Sequence, residues 1–501
     1  MTSAHQLPGP GPSPVPAWRR VLPLLAILAV GAGVRLHRLG FEGLWTDEMI
    51  AAYASNPAES LRRTYDALHF WDQTPPLYPV LLWGWLKLLG YTELNARLFS
   101  VLGGVLSLAA LHTLVRDHHR RATALIVTLL AAVTPYHIYF SREVRSYIWA
   151  LLLCTLVLIT FLRQRRTYRP GATRWLFIAS TGLFLLASYF SFFVIAALLA
   201  LLLLDRIRGA ESAHLGRWAR DFALAALMYA PWVVPFTRVL GFHNGAGGNP
   251  PTPTYLLRVA EVFTGANAGG WTAVAVWGLV TAWWLHHEFR RVDVGNGGRV
   301  TRDAALLFLA AFALMYLKSI AGRNILNGFM YSYVIVLYPA FLLVLAGVLE
   351  TLPATFRTAS ALTVLAAMTM PLAGWQQLSY HKKLSEPYRE MAAHVAASPA
   401  RHAPILCAAP HIQEFYFQSA GLRGQLVAQR DLASQVSAAR TPRLWVLDSY
   451  DRKADEMLRQ LTERYALTVL ERRSFLGSTG AIPFQAVLVE IRDRSPGTPR
   501  A

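Results

Sequence analysis

Runs of about 17–20 apolar residues, the length that crosses a bilayer's hydrocarbon core as a helix, recur along most of this chain and restrict its fold more than any other feature. They predict a polytopic α-helical membrane protein. Composition agrees: 54% of the 501 residues are hydrophobic and only 15% charged, against roughly 25% charged in soluble domains. A formal charge of +19 would otherwise suggest a nucleic-acid binder. The arginines fall instead in short loops between apolar runs, as the positive-inside bias of membrane proteins requires. No aromatic-basic platform for single strands accompanies them, so no nucleic acid is expected. Two cysteines, Cys154 and Cys407, build neither a disulfide framework nor a metal cluster.

In chain order, residues 1–17 are rich in Pro, Gly and Ser and read as a disordered cytoplasmic tail. The apolar run after Trp18-Arg19-Arg20 lacks a convincing cleavage site and is read as an uncleaved anchor with its N-terminus inside. Asn95 to Val115, Ala122 to Phe140, Ile148 to Leu162, Phe222 to Leu240, Trp271 to Leu285, Ala304 to Lys318, Tyr331 to Leu349 and Ala359 to Trp375 read as further spans. Trp175 to Asp205 is too long for one helix and has Ser188-Tyr189-Phe190-Ser191 at its middle, so it reads as two short spans. The count is about 11 transmembrane helices in a catalytic unit over 18–380. Between spans, Gly241 to Gly270 is a long outer loop carrying His243, Arg258 and Glu261, of which His243 and Arg258 read as solvated. From residue 381 charge rises and apolar runs shorten to strand length, as at 404–407, 444–447 and 486–491, with amphipathic helices near 386–398 and 451–465. That alternation predicts a small α/β domain over 381–501. Eleven spans put it outside the cell in a multi-pass plasma-membrane protein.

Within the first outer loop, 40–94, Asp47 and Glu48 follow the first span directly. Carboxylates so near lipid are costly unless they face water or act. Met49 to Phe70 reads as an interfacial amphipathic helix, and Pro75-Pro76 starts a helix at Leu77 that is too short to span.

These motifs resemble those of the GT-C superfamily of membrane glycosyltransferases. More narrowly, they are similar to those of its protein-O-mannosyltransferase and aminoarabinose-transferase branch (glycosyltransferase family 39). Gly43-Leu44-Trp45-Thr46-Asp47-Glu48 resembles the branch's Asp-Glu motif, and Asp72-Gln73-Thr74-Pro75-Pro76-Leu77-Tyr78 its Pro-Pro-Leu-Tyr segment. Glu93 to Leu98 resembles the Arg-Leu start of its next span, and Arg142-Glu143-Val144-Arg145-Ser146-Tyr147 its second outer-loop motif. Two departures stand out. Thr74 occupies a place often held by Lys or His, and Ser332-Tyr333 replaces a late Arg-Tyr, with Lys318 and Arg323 upstream as substitute cations.

The resemblance implies transfer of a sugar, with inversion, from a polyprenyl-phosphate carrier to an acceptor hydroxyl on a glycan, lipid or protein at the outer face. Inversion in one step needs a base for the acceptor proton. The leaving phosphate is already anionic, so cations beside it suffice. Asp47 is the expected base; the alternative for an Asp after Thr46 is a helix N-cap. Glu48 is either an acceptor-positioning group or half of a structural ion pair. Arg142, Arg145, Lys318 and Arg323 are the expected phosphate ligands, and Asp72, Glu143, Tyr147 and Tyr333 are further candidates. Asp72 is read equally as a cap for the Pro-Pro helix. Asp47, Glu48 and Glu143 are oxygen ligands that suit a divalent cation, but the chemistry requires none, so no cofactor is assigned and the metal stays open. The rival reading is a transporter or flippase for lipid-linked sugars. It wants internal repeats and broken midplane helices, and the sequence shows no repeat. A non-catalytic assembly protein leaves the acid pair unexplained.

Overall fold

A computed structural model of the chain describes residues 17–68, 74–166, 168–209, 214–241, 259, 262–263, 296–321, 332–351, 386–408, 410–422, 425–427, 442–449, 453–476 and 483–493. The spans expected at 271–285 and 359–375, nearly all of the loop at 241–270, and the candidates Asp72 and Arg323 lie outside these residues. Among the described residues four helices are long and apolar enough to cross a membrane: Glu93–Arg116, Tyr147–Arg165, Gly297–Ile320 and Tyr333–Thr351.

The chain enters through α1 (Ala17–Leu36) and then forms two short helices, α2 (Thr46–Ala54) and α3 (Leu61–Ala67). The single amphipathic helix expected here is thus broken, because Ser60 starts α3 by accepting the Arg63 N–H. Helix α4 (Leu77–Leu89) begins after Pro76 and ends at Gly90, whose φ of 99° suits glycine. Next come α5 (Glu93–Arg116), α6 (Arg121–Val133) and α7 (Pro135–Phe140). One span was expected over α6 and α7. Pro135 has no N–H and pushes Thr134 to an extended ψ of 125°, so the helix breaks there.

Helix α8 (Tyr147–Arg166) packs against α5, α9 (Ala172–Ala187) and the 3₁₀ turn Tyr333–Leu337. The division of 175–205 falls where expected, with α10 (Ser191–Ile207) following a break at Ser188. Helices α11 (Leu215–Tyr229) and α12 (Val233–Gly241) are separated by a 3₁₀ turn at Ala230–Trp232, and α13 (Asn296–Ala321) and α14 (Tyr338–Thr351) pack as a pair. Several core hydroxyls are satisfied within their own helices, as when Thr128 donates to Ala124 O and Thr155 to Leu151 O. Leu22 and Leu25 on α1, Leu203 and Ile207 on α10, and Leu309 and Leu317 on α13 remain exposed. Moving such a side chain from water to hydrocarbon is worth about 1.5–3 kcal/mol, which is why these faces need lipid.

The C-terminal region folds as a five-stranded sheet of order β2-β1-β3-β5-β4. Its strands are β1 (Ile405–Leu406), β2 (Leu426–Val427), β3 (Arg443–Leu447), β4 (Tyr465–Phe475) and β5 (Phe484–Asp493), flanked by α15 (Tyr388–Ala397), α16 (Pro410–Ser419) and α17 (Ala454–Thr462). β1 pairs in parallel with β2 and β3, while β5 is antiparallel to β3 and β4. Side chains alternate between two faces with period two. Leu444, Val446, Val487 and Val489 pack under α17. Trp445, Leu447, Ala486 and Leu488 enter a different core that also holds Leu44, Met49, Tyr78, Leu82 and Phe99. The sheet region and the segment carrying the acid pair therefore share one hydrophobic core.

Candidate active site

Two loops meet above the bundle and are held together from below. Arg97, on α5 and 2% exposed, donates to Leu39 O at 2.9 Å, Glu42 O at 2.6 Å and Gly43 O at 2.9 Å. It also bridges Glu93 at 2.8 Å and Glu48 at 3.1 Å. A second buried arginine, Arg35 of α1, donates to Ser141 Oγ at 3.0 Å and Ala132 O at 2.9 Å and contacts His137 Nδ1 at 2.7 Å. This fixes where the loop 141–146 begins. The loop lies hard against α5, since a Cβ on Gly104 would come within 2.7 Å of Ser141 Cβ.

The N-cap of α2 is Trp45, so Thr46 and Asp47 occupy the first two helical positions and Glu48 the third. The capping alternative for Asp47 does not fit this geometry. Glu48 is fully buried; besides Arg97 it accepts Val144 N–H at 2.9 Å and Trp45 N–H at 3.4 Å. It joins the two loops, and its surroundings are those of the structural pair. Asp47, the next residue toward solvent, is only half-buried. Its backbone carbonyl accepts Arg145 Nη1 at 3.2 Å, and its carboxylate acts electrostatically on the phenols of Tyr147 and Tyr333.

Those phenols and Arg145 line a cleft with an empty volume of about 610 Å³ that opens to solvent. Thr74 and Pro75 before α4, Tyr189 and Phe190 between α9 and α10, and Ser332 complete much of its wall. Tyr333 stacks on Phe190 with centroids 4.3 Å apart. Arg145 lies 5.9 Å from the Tyr147 ring centre. Among the described residues lining the cleft, Arg145 alone is charged. A cation among hydroxyls and aromatic faces suits an amphiphile with an anionic head.

The other expected phosphate ligands are placed differently. Arg142 donates to Arg38 O at 3.0 Å, drawn toward the end of α1. Lys318 sits in the last turn of α13 and is absent from the cleft's described lining. Glu143 is 1% exposed, meets the Tyr139 hydroxyl and is absent from the cleft's described lining. Among the described residues, no group of three or more His, Cys, Asp or Glu side chains is arranged to hold a metal ion.

Sequence reasoning missed three parts. Arg97 was quoted within a motif, but its place as organiser of the 39–48 loop comes from the fold. Glu386 accepts both the backbone N–H of Thr46, at 2.8 Å, and its hydroxyl. Tyr416 of α16 accepts Leu44 N–H and donates to Glu93 at 2.9 Å.

The sequence model of the dolichyl-phosphate-mannose-protein mannosyltransferase family matches residues 73–234. No curated protein sequence matches the chain. The crystal structure of ArnT from Cupriavidus metallidurans in the apo state superposes with a TM-score of 0.62 at 15% identity, covering 93% of this chain and 97% of that one. Its counterpart bound to undecaprenyl phosphate gives 0.61 at 15%, covering 94% and 98%. The Archaeoglobus fulgidus oligosaccharyltransferase in complex with Zn and sulfate gives 0.50 at 13%, covering 85% and 68%. The chain is a multi-pass membrane protein with the GT-C fold that its motifs indicated.

Proposed function

From a chain with the GT-C membrane fold, whose residues 73–234 carry a mannosyltransferase family pattern, we propose a glycosyltransferase that takes its sugar from a polyprenyl-phosphate carrier. One observation carries the reading most directly. The half-buried Asp47 holds Arg145 through its backbone carbonyl, Arg145 lines an aromatic cleft with Tyr147 and Tyr333, and the Asp47 carboxylate acts on those two phenols. ArnT superposes over nearly its whole length, and its structure with undecaprenyl phosphate shows that this fold accommodates such a carrier in that protein.

In this mechanism Arg145 holds the carrier phosphate, with the Tyr147 and Tyr333 hydroxyls beside it. Asp47 accepts the acceptor's hydroxyl proton as its oxygen attacks the anomeric carbon, and the carrier phosphate leaves with the bonding pair. The configuration inverts. No general acid is needed, because the departing phosphate ester is an anion that a guanidinium stabilises. Glu48 keeps the α2 loop and the 141–146 loop in register and takes no proton. Arg142 anchors the second loop. The acceptor is a hydroxyl on a protein, lipid or envelope glycan.

The decisive test is Asp47→Asn, which preserves shape and removes the base. Turnover of a labelled polyprenyl-phosphate sugar should fall about 10²–10⁴-fold, with melting temperature and carrier binding unchanged. Wild-type turnover in the variant would remove Asp47 from the chemistry.

The orientation proposed with this reading has Asp47 and the sheet region outside and the Arg163–Arg174 loop inside. On a cysteine-free background, a membrane-impermeant thiol reagent on intact cells should label position 464 and spare position 168. The reverse pattern would invert the topology.

A further inference from the structure

The C-terminal region reaches the proposed base through a single carboxylate. Glu386, just ahead of α15 and 5% exposed, accepts two hydrogen bonds from Thr46, the residue before Asp47. Thr46 N–H belongs to the first turn of α2, where backbone donors have no partner inside the helix and an anion is favoured. Glu386 thus acts as a cap delivered from 340 positions away. Its neighbours from other elements are Asp47 on α2, which repels it, and Lys453 before α17, which attracts it; Arg389 lies one turn along on its own segment.

We infer that Glu386 is a positioning residue for Asp47: it fixes the first turn of α2 and thereby the direction in which the base presents its carboxylate. This rests on the assignment of Asp47 as base. It makes the C-terminal region a working part of the catalytic centre. Three further contacts are consistent with a rigid seat at this point. Arg389 donates to Gly40 O at 3.1 Å and Phe41 O at 2.7 Å. Tyr416 holds Leu44 N–H, and a Cβ on Gly43 would lie 3.2 Å from the Tyr416 hydroxyl, so this approach suits glycine. Burial pushes the Glu386 carboxyl up to about 7, with Asp47 adding to the shift and the Thr46 bonds and Lys453 opposing it. Its charge therefore changes near neutral pH.

The test compares Glu386→Ala, Glu386→Gln and Gln418→Ala in the full chain in lipid nanodiscs. Gln418 belongs to the same interface, meeting Asn56 at the far end of α2 at 3.2 Å. Amide exchange at 46–49 should rise roughly fivefold in Glu386→Ala, the worth of a lost cap, and less in Glu386→Gln, which retains an acceptor oxygen. With labelled polyprenyl-phosphate mannose as donor, kcat should fall about 10–100-fold in Glu386→Ala, as a misplaced catalytic group allows, while the donor KM stays within about twofold of wild type. Glu386→Gln should recover part of kcat and flatten its pH dependence near 7. Gln418→Ala should leave both exchange at 46–49 and kcat alone.

Unchanged exchange at 46–49 in Glu386→Ala overturns the inference. So does an equal loss of kcat in Gln418→Ala, which would mean general loosening of the interface. A dead Asp47→Asn beside a normal Glu386→Ala refutes this inference alone. A fully active Asp47→Asn refutes the base assignment. Where the mannose donor is not turned over, the exchange measurement decides.

Discussion

The two ends of α8 handle the same residue type in opposite ways. At its C-terminal end arginines meet aspartates: Arg163 bridges Asp117 at 2.6 Å, and Arg165 bridges Asp205 at 2.6 Å and Asp303 at 2.7 Å. Arg174, in the first turn of α9, adds Asp221 at 2.8 Å. At the N-terminal end Arg142 and Arg145 are oriented by backbone carbonyls, Arg38 O and Asp47 O. A carbonyl aims a guanidinium without cancelling its charge. The first end is built to close helices together, and the second sets Arg145 in the wall of a cleft. Within that second end, Arg97 repeats the closing pattern one layer deeper, clamping Glu48 and Glu93.

The contrast can be broken most severely at Arg97. Arg97→Met leaves Glu48 and Glu93 buried without their cation and should destabilise the fold by about 3–5 kcal/mol. Thermal unfolding in detergent measures this, and a change below about 1 kcal/mol would count against the closed-pair account. Arg145→Gln and Arg165→Gln sharpen the comparison when run together. Arg145→Gln should weaken carrier binding by about 1.5–3 kcal/mol with little change in melting, since charged hydrogen bonds have that worth. Arg165→Gln should do the reverse, lowering stability by about 1–3 kcal/mol and leaving carrier affinity intact. Carrier titration and melting curves on both variants give the answer; matching behaviour would erase the distinction between the ends.

A further effect is in pH. Glu386 holds its proton more tightly folded than unfolded, up to about 7 against an ordinary value of 4.5. Its contribution to stability is therefore fully present below pH 4.5 and is lost as pH rises through 7. Melting temperature should decline across that window, and Glu386→Gln should remove that part of the slope.

How much of this the sequence showed depends on the range of the interactions involved. The boundaries of α4 were legible because Pro75-Pro76 and Gly90 are local signals. The division between α9 and α10 was legible in Ser188 to Ser191. The break at Thr134-Pro135 had an equally local signal that the apolar run concealed. Strand β4 had none, because most of it is exposed on both faces and it is held in place by pairing with β5. At the site, Asp47, Arg145, Tyr147 and Tyr333 were named from motifs and lie together. Arg142 was grouped with them from the same motif as Arg145, and Lys318 as a substitute cation, and direction decides where a charge acts. Glu386 was invisible for the same reason as β4: its partner is distant in sequence, and a lone glutamate ahead of a helix has no distinctive pattern.

The core shared by Leu44, Met49, Leu82 and Phe99 with Trp445 and Leu488 has a consequence for biogenesis. Ribosomes add ~5–20 residues per second, so the roughly 390 residues between Phe99 and Leu488 take ~20–80 s to make. During that interval the helices are already in the membrane, while the underside of the future active site waits uncovered. The nascent protein would pass through a stage with a greasy platform at the bilayer edge and no finished catalyst. Strand β5, the last among the described residues, helps complete that platform's cover, which ties the onset of activity to the synthesis of that strand.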